Sequence, residues 1–71
     1  PMARGVQEVM SRRVVTVRSD APVSAAVERM RRFGFSALPV VNARHRLVGV
    51  VSLLDVLRHR ESGGTDADAV D

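Results

Sequence analysis

Seventy-one residues make one small domain, and a chain of that size removes only about 60% of its unfolded surface from water, so a core alone leaves it marginally stable. A composition that is 45% hydrophobic and 27% charged is globular, but two Phe and no Trp or Tyr confine the core to Val, Leu, Met and Ala. With no Cys, disulfides and thiolate metal sites are excluded and oligomerisation is the remaining common source of stability; the net charge of +3 divides into +6 over residues 1–62, where all eleven Arg lie, and −3 over residues 63–71.

Residues 1–5, PMARG, have no apolar period and read as an N-terminal extension. Val6, Val9 and Met10 fall at helical spacing, which suits one short turn that needs a docking surface. VVTV, residues 14–17, is β-branched throughout and predicts the first strand. Val23, Ala26, Val27, Met30 and Phe33 then recur at helical spacing. Asp20 or Ala21 is the expected N-cap, Pro22 suits the first helical position, and Gly34 suits a left-handed C-terminal cap.

ALPVV at 37–41 and LVGVV at 47–51 are apolar runs joined by NARHR, a polar connection of hairpin length in which His45 can take the left-handed position. Such continuous apolar strands are expected to be covered on both faces or by a partner. A last helix runs from Leu53 to about His59. SGGTDADAVD, residues 62–71, has no core-forming pattern and reads as an acidic flexible tail whose removal leaves stability nearly unchanged. Should it dock, its charge would set it against the basic surface. The order is β-α-β-β-α, an α/β (α+β) domain over residues 6–61. Its strands 1 and 2 are parallel across a crossover, strands 2 and 3 form an antiparallel hairpin, and two helices cover the small three-stranded sheet. Helix residues such as Leu54 and Val56, beside Leu53 and Leu57, then require a second cover.

Within GVVSLLDVL, residues 49–57, Ser52 and Asp55 form S-x-x-D at the start of a helix. That pattern caps a helix, and the free N–H groups of the same terminus also suit an anion. Gly49 inside a strand marks a bulge or a close backbone approach. His45 and His59 lack metal-ligand spacing, and no nucleophile, base and orienting group come together, so the residues point away from an enzyme. Arg12, Arg13, Arg18 and Arg44 could serve phosphate or simply solvate the surface. Arginine without aromatic stacking residues or a reading motif argues against nucleic acid. No apolar run is long enough to span a bilayer, which suits a soluble cytoplasmic protein or a soluble piece of a larger one.

Taken together, the leading turn ending in Met10-Ser11, the VVTV strand, the helix closing in MRRFG, GFSALPVV at 34–41 and LVGVVSLLDVL at 47–57 resemble a single cystathionine β-synthase (CBS) domain. This is a regulatory motif usually found in tandem pairs called Bateman modules. The resemblance implies a nucleotide site in the cleft between motifs, with Val15, Thr16, Ser36, Ala37 and Pro39 framing adenine, Gly49 in the motif, Ser52 toward phosphate and Asp55 on the ribose hydroxyls. It implies no cofactor, but a regulatory ligand such as AMP, ATP or another adenosyl compound. It also implies pairing as a homodimer or with a second CBS motif. Many ligand-binding members carry Arg or His where this chain has Ser36 and Ala37, so a monophosphate or adenosyl compound is expected to outrank ATP. A CBS-type assembly module without a ligand is the alternative.

Overall fold

A computed structural model describes residues 14–71. The short turn expected at Val6–Met10, and with it Arg12 and Arg13, lies outside the described residues. The elements are β1 (Val17–Arg18), α1 (Val23–Phe33), β2 (Ala37–Val41), β3 (Leu47–Ser52) and α2 (Leu53–Glu61). They build one sheet in the order β1-β2-β3, with β1 parallel and β3 antiparallel to the central strand β2. Fold class, strand directions and the hairpin are those expected from the sequence.

The first strand is shorter than its β-branched letters suggest. Only Val17 and Arg18 pair, opposite Val40 and Val41. Continuing that register backward would set Thr16 against Pro39, which has no N–H to give, so the ladder begins only beyond it. Val14 is exposed, while Val15 packs against the core without pairing.

In α1 the expected face is buried at Val23, Ala26 and Met30. Pro22, rather than Asp20 or Ala21, takes the N-cap place, with extended backbone and no side-chain cap. Gly34 closes the helix at φ 69°, its N–H reaching the Met30 carbonyl, as its sequence position implied. Phe33, expected in the core stripe, instead lies half-exposed and stacks on Phe35 at 6.0 Å between ring centroids.

Leu38 and its cross-strand partner Val51 face the core. Pro39 and Val50, the next pair, face the other side, where Val50 is 64% exposed. The sheet therefore has one covered face, on which Val17, Val40 and Val51 meet Val23, Ala26, Met30 and Val56. The β2–β3 turn is closed by Asn42, whose Oδ1 accepts the Arg44 and Arg46 amides at 2.9 and 3.1 Å, and His45 adopts φ 60° as expected. The register shifts between Val40 and Val41, which face Gly49 and Leu47 and leave Val48 as the bulged residue.

Residues 62–71 do not lie free, which corrects the expectation of a flexible tail. The Val23 and Ser24 amides donate to the Asp68 and Asp66 carbonyls at 2.8 and 2.9 Å, and the Val70 and Asp71 amides donate to Ala21 and Ser19. Val70 packs on the core. Arg60 holds Asp66 through two hydrogen bonds at 3.0 and 2.7 Å, and His59 Nε2 faces both the Thr65 carbonyl and the Asp68 carboxylate at 3.0 Å. The segment uses backbone donors that α1 leaves open at its N-terminus, an arrangement apolar periodicity does not announce. Gly64 makes the return possible, since a Cβ there would overlap the His59 ring.

Truncation after Ser62 is therefore expected to destabilise the chain, on the order of 2 kcal/mol or a melting decrease of about 10 °C. Differential scanning calorimetry of the two chains checks this, and an unchanged midpoint would refute the docking.

Candidate ligand site at the start of the last helix

Strand β3 runs into α2 without a loop because Ser52 serves as both the last strand residue and the helix N-cap. Its extended backbone aims the side chain at the first turn of the helix. The Asp55 amide donates to Ser52 Oγ at 3.1 Å, and Asp55 Oδ2 accepts the Ser52 backbone N–H at 2.8 Å and its hydroxyl at 2.9 Å. This is a complete capping box. The Ser52 amide, and then its hydroxyl, hold the Asp55 carboxyl below the usual aspartate range, with Arg58 adding a smaller attraction. Among the described residues the side-chain hydrogen bonds of Asp55 fall on Oδ2.

Ser36 and Ala37 stand beside this terminus. The Leu53 amide donates to the Ser36 carbonyl at 2.8 Å, and Ala37 pairs with Ser52 across the sheet. Pro39 pairs with Val50, and Gly49 lies further along, opposite Val40. Gly49 and Asp55 line one cavity of about 250 Å³, whose walls include Val50, Val51, Val70 and Asp71. A Cβ at Gly49 would meet nothing within 4 Å, so of its two sequence readings the neighbouring bulge applies and a close backbone approach does not.

Val15 and Thr16 line a separate, larger cavity of about 610 Å³ beside α1, together with Arg29, Arg32 and Phe33. The structure thus divides the expected residues between two cavities, and Ser36, Ala37, Pro39 and Ser52 line neither. Arg29 and Arg32 escaped the sequence reading. Their signal was the 25-29-32 stripe of α1, adjacent to its buried face. Arg18, a candidate phosphate ligand by sequence, is engaged by Asp20 through two bonds at 3.0 and 2.7 Å. Arg44 occupies the hairpin turn. Among the described residues no three His, Cys, Asp or Glu side chains gather as metal ligands, and no helix is long and apolar enough to cross a membrane.

The family model for the CBS domain matches residues 6–62. This chain is a CBS domain. Such domains are regulatory modules. It is 42% identical over 53 residues to a homoserine O-acetyltransferase of Methanococcoides burtonii, covering 75% of this chain and 11% of that protein. Among solved structures it is similar to the cytosolic domain of the Mg²⁺ channel MgtE in complex with ATP, with 41% identity and a TM-score of 0.61 over 65% of this chain and 18% of that one. It is also similar to a CBS domain pair in complex with 5′-methylthioadenosine and S-adenosyl-L-methionine, with 31% identity and a TM-score of 0.64 over 87% of this chain and 52% of the pair. The domain spans about a tenth of the first curated relatives it matches, and their catalytic names describe whole proteins.

The capping box makes this helix start acid-sensitive. Because the folded Asp55 pKa is depressed, its contribution is complete above the unfolded value of about 3.9 and is lost as pH falls through the folded value. Asp55→Asn should flatten the fall in stability below about pH 4, measured by circular dichroism melts across that range. At pH 7 Asp55→Ala should lower the melting midpoint, because the Ser52 amide loses its acceptor. Gly49→Ala, by contrast, should leave ligand-free stability within about 1 kcal/mol of wild type, as the same melts would read.

Proposed function

We propose that this CBS domain is a ligand-sensing regulatory motif that pairs with a second CBS motif, in a homodimer or with a different chain segment, and binds an adenosine nucleotide or adenosyl ligand. The observation that carries the reading is Asp55, a carboxylate at a helix N-terminus whose side-chain hydrogen bonds among the described residues fall on Oδ2, lining a cavity with Gly49. Ribose hydroxyls donate well to such an acceptor. The solved relatives that hold ATP, 5′-methylthioadenosine and S-adenosyl-L-methionine support the ligand class. In the proposed site Asp55 binds ribose, and Ser52 meets phosphate or the ribose 5′ substituent. Gly49 shares the Asp55 cavity and Ser36, Ala37 and Pro39 flank it along β2 to frame the base, while Val15 and Thr16, which the family resemblance also assigns to the base, line the separate cavity beside α1. The ligand would act as a regulator of an attached or associated protein, in the cytoplasm.

Pairing follows from the surface left open. Leu47, Val48 and Val50 of β3 and Leu53, Leu54 and Leu57 of α2 are all at least 45% exposed, in a domain too small to leave that much apolar area in water without cost. One motif also supplies only part of a cleft, as the match to about half of a CBS pair suggests. Light scattering after size exclusion should read a dimer or larger, and Leu54→Glu should weaken it at least tenfold, a loss of about 1.4 kcal/mol. A folded wild-type monomer at micromolar concentration would count against pairing.

A second reading, an assembly module without ligand, is favoured by the capping box, which already occupies Ser52 and one Asp55 oxygen. A thermal-shift screen of AMP, ADP, ATP, S-adenosylmethionine and NAD separates the two. A binding ligand at about 100 times its dissociation constant should add about 2.7 kcal/mol, and Asp55→Ala should lose most of that gain. No shift with any of these at millimolar concentration would leave the assembly reading.

A further inference from the structure

Residues 62–71 meet the rest of the chain at three places. On α2, His59 Nε2 faces the Thr65 carbonyl and the Asp68 carboxylate, and Arg60 holds Asp66. At the start of α1, the Val23 and Ser24 amides donate to the Asp68 and Asp66 carbonyls at 2.8 and 2.9 Å. Those two amides open the helix and have no acceptor within it. Further on, the Val70 and Asp71 amides reach the Ala21 and Ser19 carbonyls, and there Val70 and Asp71 become walls of the cavity that Gly49 and Asp55 also line. The attachment is light. Every residue of the segment is exposed or half-buried, and Val70 is the one that packs on the core. Surface ion pairs such as Arg60–Asp66 hold weakly, and a segment with few buried apolar contacts and main-chain bonds near solvent is among the first parts of a fold to open.

We infer that residues 62–71 are a strap that gates the Asp55 cavity, so that an adenosyl ligand enters only as the strap lifts from α1. The inference rests on the adenosyl-ligand reading and adds its regulation. With Val70 and Asp71 in place the cavity measures about 250 Å³, short of the roughly 300–1,000 Å³ that hold small-molecule ligands. Lifting the strap removes those two walls and leaves the sheet side and the capped start of α2, which β2 and β3 position, as they stand. A seated strap lowers the apparent affinity in proportion to the fraction of molecules in which it is lifted. Any contact that draws residues 62–71 away then raises sensitivity without touching Asp55.

Hydrogen exchange of the full chain, with and without adenosine, AMP, ATP or S-adenosylmethionine at millimolar concentration, tests this together with isothermal titration of wild type, Gly64→Ala and Asp68→Ala. The first variant drives the His59 ring from its place, and the second removes the carboxylate that His59 and the Thr65 amide share. Neither residue lines the cavity. The Val23 and Ser24 amides are the gauge, because their acceptors lie in the strap. A bound ligand should speed exchange at both amides at least roughly tenfold. The variants, with the same amides already faster in the free chain, should bind at least roughly threefold tighter than wild type. A ligand that binds wild type and leaves those amides unchanged or slower would overturn the gate and leave the adenosyl reading standing, and so would variants with fast amides and wild-type affinity. No binding of the four compounds to any of the three chains would remove both together.

Discussion

Everything in this domain hangs on the central strand β2. Leu38 is fully buried there, with Val40 two residues on, and the strand pairs on one side with β1 and on the other with β3. The pairing carries the crossover helix α1 to one face and brings β3 to the point where Ser52 turns into α2. The Leu53 amide on the Ser36 carbonyl ties that point to the entry of β2. A capped helix terminus, a strand entry and the hairpin arm bearing Gly49 are thus placed by one short ladder. Pro39, within it, lacks a donor and limits β1 to two paired residues.

The same thin architecture explains why regulation suits it. A sheet with one covered face, and an α2 that buries Val56 while presenting Leu53, Leu54 and Leu57 outward, is an element waiting for a neighbour. In the proposed reading, a ligand at Asp55 and a neighbour on this surface would share Val48 and Val50, which line the cavity and are exposed. Coupling then needs no long path through the molecule.

Much of this was legible in the letters. The hairpin, its left-handed His45, the Gly34 cap and the S-x-x-D start of α2 follow from local chemistry, and each stands where its residues direct. What failed was set by distant partners. The extent of β1 depends on a proline more than twenty positions away, and Phe33 leaves the core to stack on Phe35 beyond the helix end. The last ten residues carry one Val and three Asp. Their docking is made mainly of main-chain bonds, to which side-chain patterns are blind. For the site, sequence could name Ser52 and Asp55 but could not distinguish cap from ligand contact, because one geometry serves both. Arg29, Arg32 and Asp71 line cavities only through the fold.

Gly64 carries a consequence of its own. It lies in a polar turn that any inspection of the sequence would treat as freely replaceable, and its backbone shows no left-handed requirement. The space a side chain would need is filled by the His59 imidazole, which in turn touches Thr65 and Asp68. In a saturation scan of the chain, this loop position should therefore pattern with the interior, rejecting even alanine, while its neighbour Gly63, with open space around it, is limited by backbone angle alone. Tolerance to change here follows the path of the returning chain, and the hydrophobicity of the local letters says little about it.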